Sequence, residues 1–310
     1  MQKRTLYADG NIYKGNLHTH TTLSDGKGTP AEAAAYYKSL GHSFLALTDH
    51  GVYMYHKELS TDDFLLLPGV ELNTVPQGGD PVQHHIVGIG VEGEVDIPEG
   101  ARYDRDWLAA RDAQDLIDEL VAHGNLAIFC HPHWSHADLE EAKGLENVVG
   151  MEIMNYGCHM AWNCGLGDAY YDAALWSGNR MWAFATDDAH CLHPFTCGAC
   201  VAVKCAALTN RDVTQAIRDG SFYATTGPEI YDFYMEDGVV CLSCSDARSI
   251  QFIYTDGFAA AHALPGEHVR ELSAQYPDKF WRNYPHCKPY ARAVVTDDAG
   301  KMAWTQPIAL

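Results

Sequence analysis

Two imidazoles and a carboxylate fall close together near the start of the chain, in Asn16-Leu17-His18-Thr19-His20-Thr21-Thr22-Leu23-Ser24-Asp25-Gly26. Metal coordination is the chemistry this suits. In an extended segment residues two apart point to the same side, so His18 and His20 can offer two nitrogens to one cation while Thr19 faces away. Asp25 lies just beyond, where the chain must turn. A lone His-x-His also occurs on ordinary surfaces, so the rest of the chain decides its meaning.

The same residue types recur at the ends of apolar runs. Ser43-Phe44-Leu45-Ala46-Leu47-Thr48 runs into Asp49-His50, and Phe64-Leu65-Leu66-Leu67-Pro68-Gly69-Val70 into Glu71. Leu126-Ala127-Ile128-Phe129-Cys130 ends in His131-Pro132-His133, and Met181-Trp182-Ala183-Phe184-Ala185-Thr186 in Asp187-Asp188-Ala189-His190. Short apolar runs bounded by Gly or Pro and separated by helical patterns read as buried parallel strands. In a parallel barrel their C-terminal ends share one rim, where residues distant in sequence converge. His85 opens the run His84-His85-Ile86-Val87-Gly88-Ile89-Gly90 instead of closing it, so its direction fits less well.

The ordered set His18-Thr19-His20, Ser24-Asp25-Gly26, Leu47-Thr48-Asp49-His50, Gly69-Val70-Glu71, His131-Pro132 and Asp188-Ala189-His190 resembles the polymerase and histidinol phosphatase (PHP) superfamily over roughly residues 12 to 228. The resemblance implies an α/β fold, a distorted seven-stranded β/α barrel of TIM-like kind, carrying two or three divalent ions; most characterised members are phosphoesterases. By resemblance His18, His20, Glu71 and Asp188 hold one metal. Glu71 bridges to a second held with His85 and His131, and Asp25, His50 and His190 hold a third. Some members carry a histidine where Asp25 stands, which leaves this third site one nitrogen donor short.

A mixed imidazole and carboxylate set suits Zn, Mn or Fe better than Mg or Ca. Paired metals can share a hydroxide and stabilise the attacking and leaving oxygens at phosphorus, so no nucleophilic side chain is required. The expected activity is therefore that of a metal-dependent phosphoesterase in which a metal-bridging hydroxide attacks a small phosphate ester. Two alternatives stand beside it: a carbamate or carboxylic-ester hydrolase on the same site, and a catalytically silent metal-binding module. Glu71 is the expected central catalytic carboxylate. His193 and His133 are candidates for protonating the leaving group because each adjoins a proposed ligand in sequence. Arg180, Arg211 and Arg218 are candidate phosphate contacts. Asp49 and Asp187, each next to a proposed ligand, are expected to orient an imidazole. Glu152 and Asn155 have no role assigned at this level. No Gly-x-Ser-x-Gly elbow or phosphate-cradling Gly-rich loop is present, which argues against serine hydrolase and nucleotide-switch mechanisms.

The chain has 310 residues, 47% of them hydrophobic, enough for a barrel plus an accessory unit. Its 41 acidic and 21 basic residues give a net charge of −20, which would repel a long nucleic acid, whereas bound cations reverse the sign locally and favour a small phosphate ester. No apolar stretch is long enough to span a bilayer and the N-terminus lacks a signal-peptide core, so the expectation is a cytoplasmic protein without membrane partners. The sequence leaves the oligomeric state open.

Cys197-x-x-Cys200 and Cys241-x-x-Cys244 could form a zinc ribbon, but they lie much further apart than the roughly 15 to 20 residues usual for one. Buried free thiols, which suit a reducing compartment, are the favoured reading.

Among the elements, Thr29-Pro30-Ala31-Glu32 is a capping box ahead of a helix that Gly41 ends. Apolar spacing predicts one helix from Trp107 to Val121 stopped at His123-Gly124, another over Ala169 to Trp176, and a third over Asn210 to Ile217 capped by Asn210. After Gly227-Pro228 the helical periods stop, and strands are predicted at Val239 to Leu242, Ser249 to Tyr254 and Tyr290 to Val295, with a hairpin through Asp297-Asp298-Ala299-Gly300. The division expected is a metal-binding barrel over residues 1–228 and a β-sandwich-like accessory unit over 229–310. The aromatic insert Phe280-Trp281-Arg282-Asn283-Tyr284 is expected to pack against the barrel, with closure over the substrate as the alternative.

Overall fold

A computed structural model describes residues 4–5, 10–76, 78, 82–255, 257–277 and 288–309. The aromatic insert at 280–284 lies outside these residues. The fold is mixed α/β, with two sheets carrying the candidate residues and a third built only from termini and the C-terminal region.

The first sheet runs, in spatial order, Gly69–Asn73, His85–Gly90, Asn125–Phe129, Gly150–Asn155, Trp182–Thr186. The first two pairings are antiparallel and the last two parallel. The expectation that all strands run the same way is therefore corrected. The His85–Gly90 strand runs against its neighbours, with Asn73 opposite His85, so a residue that opens this strand lies at the same end as residues that close the others. The second sheet places Leu65–Leu67, Phe44–Ala46 and Asn11–Asn16 in parallel, then continues antiparallel through Cys200–Cys205 and Phe222–Thr225. A single apolar cluster draws Phe44, Leu67 and Val201 from this sheet together with Val87, Ile128 and Phe184 from the first.

Helices cover the outer faces. Pro30–Ser39 begins at the Thr29/Glu32 capping box, as the sequence predicts. The helix predicted from Trp107 to Val121 is instead two, Arg105–Ala109 and Ala113–Ala122, because Asp112 accepts from the Asp115 backbone N–H and starts a second helix with its own capping box. Leu116, Ile117 and Leu120 of that helix pack on Val70, Ile86 and Phe129 of the first sheet. Asp168–Ser177 ends at Gly178, whose φ of 93° is the left-handed conformation glycine adopts without steric cost. Asn210–Arg218 is capped by Thr209, not by Asn210, whose amide instead donates to the Gly90 carbonyl and accepts from the Glu92 N–H. Among the described residues no helix is long and apolar enough to cross a membrane.

The C-terminal region supplies the predicted strands Val239–Ala247, Ser249–Tyr254, Tyr290–Thr296 and Met302–Thr305, and also Ile230–Glu236, Gly257–His262 and Val269–Gln275. Met302–Thr305 pairs with Phe222–Thr225, so the second sheet continues across residue 228 into the C-terminal region. Arg292, 1% exposed, reaches from the Tyr290–Thr296 strand to Asp172 on the Asp168–Ser177 helix through contacts of 2.8 and 2.7 Å. Gln306 bonds both backbone groups of Ala183.

Candidate metal centre

His18 and His20 follow the end of the Asn11–Asn16 strand. Asn16 organises this exit, its Oδ1 accepting the His18 N–H and its Nδ2 donating to the Ala199 carbonyl. The two imidazoles converge until their Nε2 atoms are 3.2 Å apart. Bridges between Thr19 and Ala189, and between His50 and Glu71, join the ends of the two sheets at this point.

Glu71 sits fully buried at the centre. Its Oε1 is 3.1 Å from His18 Nε2, 2.7 Å from His85 Nδ1 and 3.6 Å from His131 Nε2. Its Oε2 is 3.2 Å from His20 Nε2 and 2.9 Å from His50 Nδ1. Asp188 closes the other side, its Oδ1 3.3 Å from His18 Nε2 and 3.1 Å from His20 Nε2. Asp25, more exposed, lies 3.4 Å from His190 Nε2 and 3.8 Å from both His20 Nδ1 and His50 Nε2. All nine residues expected as ligands are thus brought to one place. Eight of them fall into groups spaced to hold a cation: His18, His20 and Asp188; His50, Glu71 and His85; His20, Asp25, His50 and His190. A further group joins His18 to Cys130 and Glu152, and His131 belongs to none of the four.

Several of these contacts have the distance of a hydrogen bond without its geometry. Buried atoms with no hydrogen-bond partner include His20 Nδ1, His50 Nδ1, His85 Nε2, Glu71 Oε2 and Asp188 Oδ1. Buried polar atoms are ordinarily paired, and leaving one unpaired costs on the order of 1–3 kcal/mol. Convergent unpaired nitrogens and carboxylate oxygens fit divalent transition metals.

Burial would push His18 and His20 down, but Asp188 and Glu71 outweigh it and hold both imidazoles raised, His20 to about 9, so protons balance the carboxylates where a cation would replace them. Burial alone would push the Glu71 carboxyl up, but the imidazoles of His18, His85 and His50 outweigh it and hold it well below the usual carboxylate range. Burial likewise opposes the ionised form of Asp188, and His18 and His20 hold that carboxyl low. Burial pushes His85 down to about 4, so its imidazole stays neutral and its lone pair available.

His131 and Asp188 have φ of 27° and 51°, left-handed conformations costly for residues other than glycine. The His131 N–H donates to Glu152 Oε2 at 2.8 Å and the Asp188 N–H to the His18 carbonyl at 2.9 Å, which secures both turns.

Glu152 has the role the sequence reading missed. Fully buried in the Gly150–Asn155 strand, it accepts from His18 Nδ1 at 2.7 Å, from the Thr186 hydroxyl, from the His131 N–H and from Asn155 Nδ2. Burial would push its carboxyl up; His18 outweighs this and holds it lowered, so the carboxylate is an acceptor and His18 Nδ1 the donor. Asn155 also donates to Asp188 Oδ2 at 3.2 Å. A carboxylate inside an otherwise apolar strand was the available signal, because such a group needs buried partners.

Other expectations are corrected. Asp49 and Asp187 orient no imidazole. Asp49 accepts from the backbone and hydroxyls of Thr21 and Ser24 and so shapes the loop carrying Asp25. Asp187 accepts from the Gly198 and Ala199 N–H groups and from the Tyr37 hydroxyl. A cavity of about 610 Å³ opens over the cluster, and neither His133 nor His193 is among the residues lining it. His193 is exposed and stacks on Phe195, while His133 lines an adjoining hollow that shares Gln83, Trp134 and Trp162 with the cavity. Arg218 pairs with Glu94 at 2.9 Å, and neither Arg180 nor Arg211 lines the cavity. The cysteines among the described residues are free, and no described group of candidate metal ligands includes Cys197, Cys200, Cys241 or Cys244.

No protein-family model matches the chain. An uncharacterized protein of Methanocaldococcus jannaschii is 34% identical over 79 residues, 21% of this chain and 36% of that protein, so the match spans about a third of the relative's length. Among solved structures, a two-domain protein of Bacteroides vulgatus containing a predicted PHP-like metal-dependent phosphoesterase is similar over 98% of this chain and 97% of its own, with a TM-score of 0.45 and 14% identity. An amidohydrolase of Chromobacterium violaceum, with sulfate bound and no metal, is similar over 60% of this chain and 90% of its own, with a TM-score of 0.42 and 14% identity.

Proposed function

We propose that this chain is a metal-dependent hydrolase of the PHP kind that cleaves a small phosphate ester. The observation that carries the reading is the convergence of imidazole nitrogens on the buried carboxylates of Glu71 and Asp188, whose Oε2 and Oδ1 have no hydrogen-bond partner. His18, His20, Glu71 and Asp188 would hold one ion, Glu71, His85 and His131 a second, and Asp25, His50 and His190 a third, with Zn, Mn or Fe favoured by the donor set. Such ions would lower the pKa of water and stabilise charge on the attacking and leaving oxygens. The chain's own part is positioning. Glu152 fixes the ring of His18 and the backbone of His131, and Asn155 fixes Asp188.

Residues 1–228 are read as a distorted β/α barrel, a reading supported by the core shared between the two sheets and the bridges at their ends. Residues 229–310 are read as an accessory unit tied to it by a shared sheet. Free cysteines support a reducing compartment such as the cytoplasm.

The absence of Lys or Arg among the described residues lining the cavity favours a second reading, hydrolysis of an uncharged carbamate or carboxylic ester, since no side-chain cation there offsets a phosphate dianion. Elemental analysis and a panel of phosphomonoesters, phosphodiesters and carboxylic esters test both. Two or three transition-metal equivalents with chelator-sensitive phosphoester turnover are expected. Turnover confined to carboxylic esters would replace the first reading by the second, and failure to take up metal would remove both.

A further inference from the structure

The cavity over the cluster has one wall that metal chemistry does not explain. Trp134 and Trp162 line it, with ring centroids 6.3 Å apart and planes tilted by 54°. Trp134 stands edge-on to His85 at 5.3 Å and to His131 at 4.9 Å, so it adjoins the ligand cluster directly. Trp162 is 65% exposed, a large apolar area left in water on the rim of a concave site.

The position of Trp162 is set by the cluster. It ends the helix Tyr156–Trp162, whose N-cap Asn155 accepts the Cys158 N–H and also donates to Glu152 and Asp188. Seven residues at a rise of 1.5 Å place the indole roughly 10 Å along the axis from that cap. Apart from the ligand residues, the polar lining is uncharged, supplied by Asn73, Gln83 and Thr196. Recognition beyond the reacting group therefore rests on shape, stacking and neutral hydrogen bonds, not on ion pairs.

We infer that Trp162, backed by Trp134, is a specificity-determining wall that receives a flat aromatic or heteroaromatic ring of the substrate, joined to the scissile ester by a short linker. The inference rests on the reading of the cluster as the catalytic centre. The cavity volume falls within the range of about 300–1,000 Å³ typical of small-molecule sites, and indoles stack on rings of any sequence of heteroatoms because every such ring has a π-face.

The test uses the full, metal-loaded chain with phenyl phosphate, adenosine 5′-monophosphate and glycerol 3-phosphate, measuring kcat and KM and, by calorimetry, Kd. For Trp162→Ala, KM and Kd for the ring-bearing esters are expected to rise about tenfold, the loss of one stacking contact, with kcat little changed. Glycerol 3-phosphate should be unaffected, and Trp162→Phe should restore most of the loss. The larger effect between phenyl phosphate and the nucleotide identifies which ring the wall suits. An equal loss on glycerol 3-phosphate, or no loss on either ring-bearing ester, overturns the inference. If none of the three is hydrolysed, the phosphoesterase reading fails; a Trp162-dependent preference for ring-bearing ligands in Kd would still support the wall, and its absence would overturn it.

Discussion

His18 turns its Nδ1 onto Glu152 at 2.7 Å and leaves Nε2 facing Glu71 at 3.1 Å. The first contact settles which nitrogen is free for coordination. A carboxylate behind a metal-binding histidine fixes the tautomer and the ring orientation and raises the basicity of the other nitrogen. Glu152 does this while also receiving the His131 N–H, so one buried group positions two expected ligands.

Glu152→Gln is expected to lower metal affinity about 10- to 100-fold, in line with other losses of a group supporting a ligand. Whichever terminal atom becomes the amide nitrogen can no longer accept: at Oε2 the His131 N–H and Asn155 Nδ2 lose their acceptor, and at Oε1 His18 Nδ1 and the Thr186 hydroxyl do. Competition with a chromophoric chelator measures the change, and circular dichroism checks that the fold persists. An affinity equal to the parent's would show that Glu152 serves packing alone.

Glu71→Gln is expected to remove more metal than Asp25→Asn. Glu71 has five imidazoles within 3.6 Å, whereas the side chain of Asp25 is 57% exposed and its ions, if lost, leave the buried groups intact. Metal equivalents per chain, counted by elemental analysis, check the order. A Glu71 variant that keeps its metal while the Asp25 variant loses it would reverse the assignment of the bridging carboxylate.

The chain displayed its ligands more clearly than their supports. His18, His50, Glu71, His131 and Asp188 were legible because polar groups ending apolar runs stand out against a strand pattern. His85 puzzled the reading only because strand direction is set by pairing, and the antiparallel partner Gly69–Asn73 is not visible in a local window. Glu152 was legible as an anomaly and not as a role, since its partners come from three other segments. His133 and His193 lie off the lining of the cavity because adjacency in sequence says little about which way a loop carries its side chains. The separate C-terminal unit was read from a change of periodicity at Gly227-Pro228, which could not reveal that Met302–Thr305 would pair with Phe222–Thr225 and extend the second sheet.

Arg292→Met is expected to destabilise the chain by about 3 kcal/mol, the lower end of the cost of breaking a buried ion pair, because Asp172 is partly exposed and can regain water. The Arg292 guanidinium is buried between the C-terminal strand and the Asp168–Ser177 helix. Burial opposes its charge, and the bonds to Asp172 outweigh this and hold it charged. Urea unfolding measures the loss. Metal content should be unchanged, since the contact lies outside the ligand cluster. A variant as stable as the parent would show that the shared sheet alone fastens the C-terminal region.

His42 should impose an acid-side loss of stability. Its ring meets Tyr37 edge-on at 5.2 Å, and neither ring nitrogen has a hydrogen-bond partner. Burial, aided by the charge of Lys14, outweighs the opposing pull of the Tyr37 carbonyl and pushes its pKa from 6.5 down to about 4. Above pH 7 the imidazole is neutral in both folded and unfolded chains and contributes nothing pH-dependent. As pH falls through 6.5 the unfolded chain takes up a proton that the folded chain refuses, so stability declines until the folded group titrates near pH 4. The shift corresponds to a loss of about 3 kcal/mol at most. Parent and His42→Phe, compared by urea unfolding at a series of pH values, should differ by a constant above pH 7. Between pH 6.5 and 4 the difference should move in favour of the variant, and a pH-independent difference would show that the His42 ring reaches solvent and titrates normally.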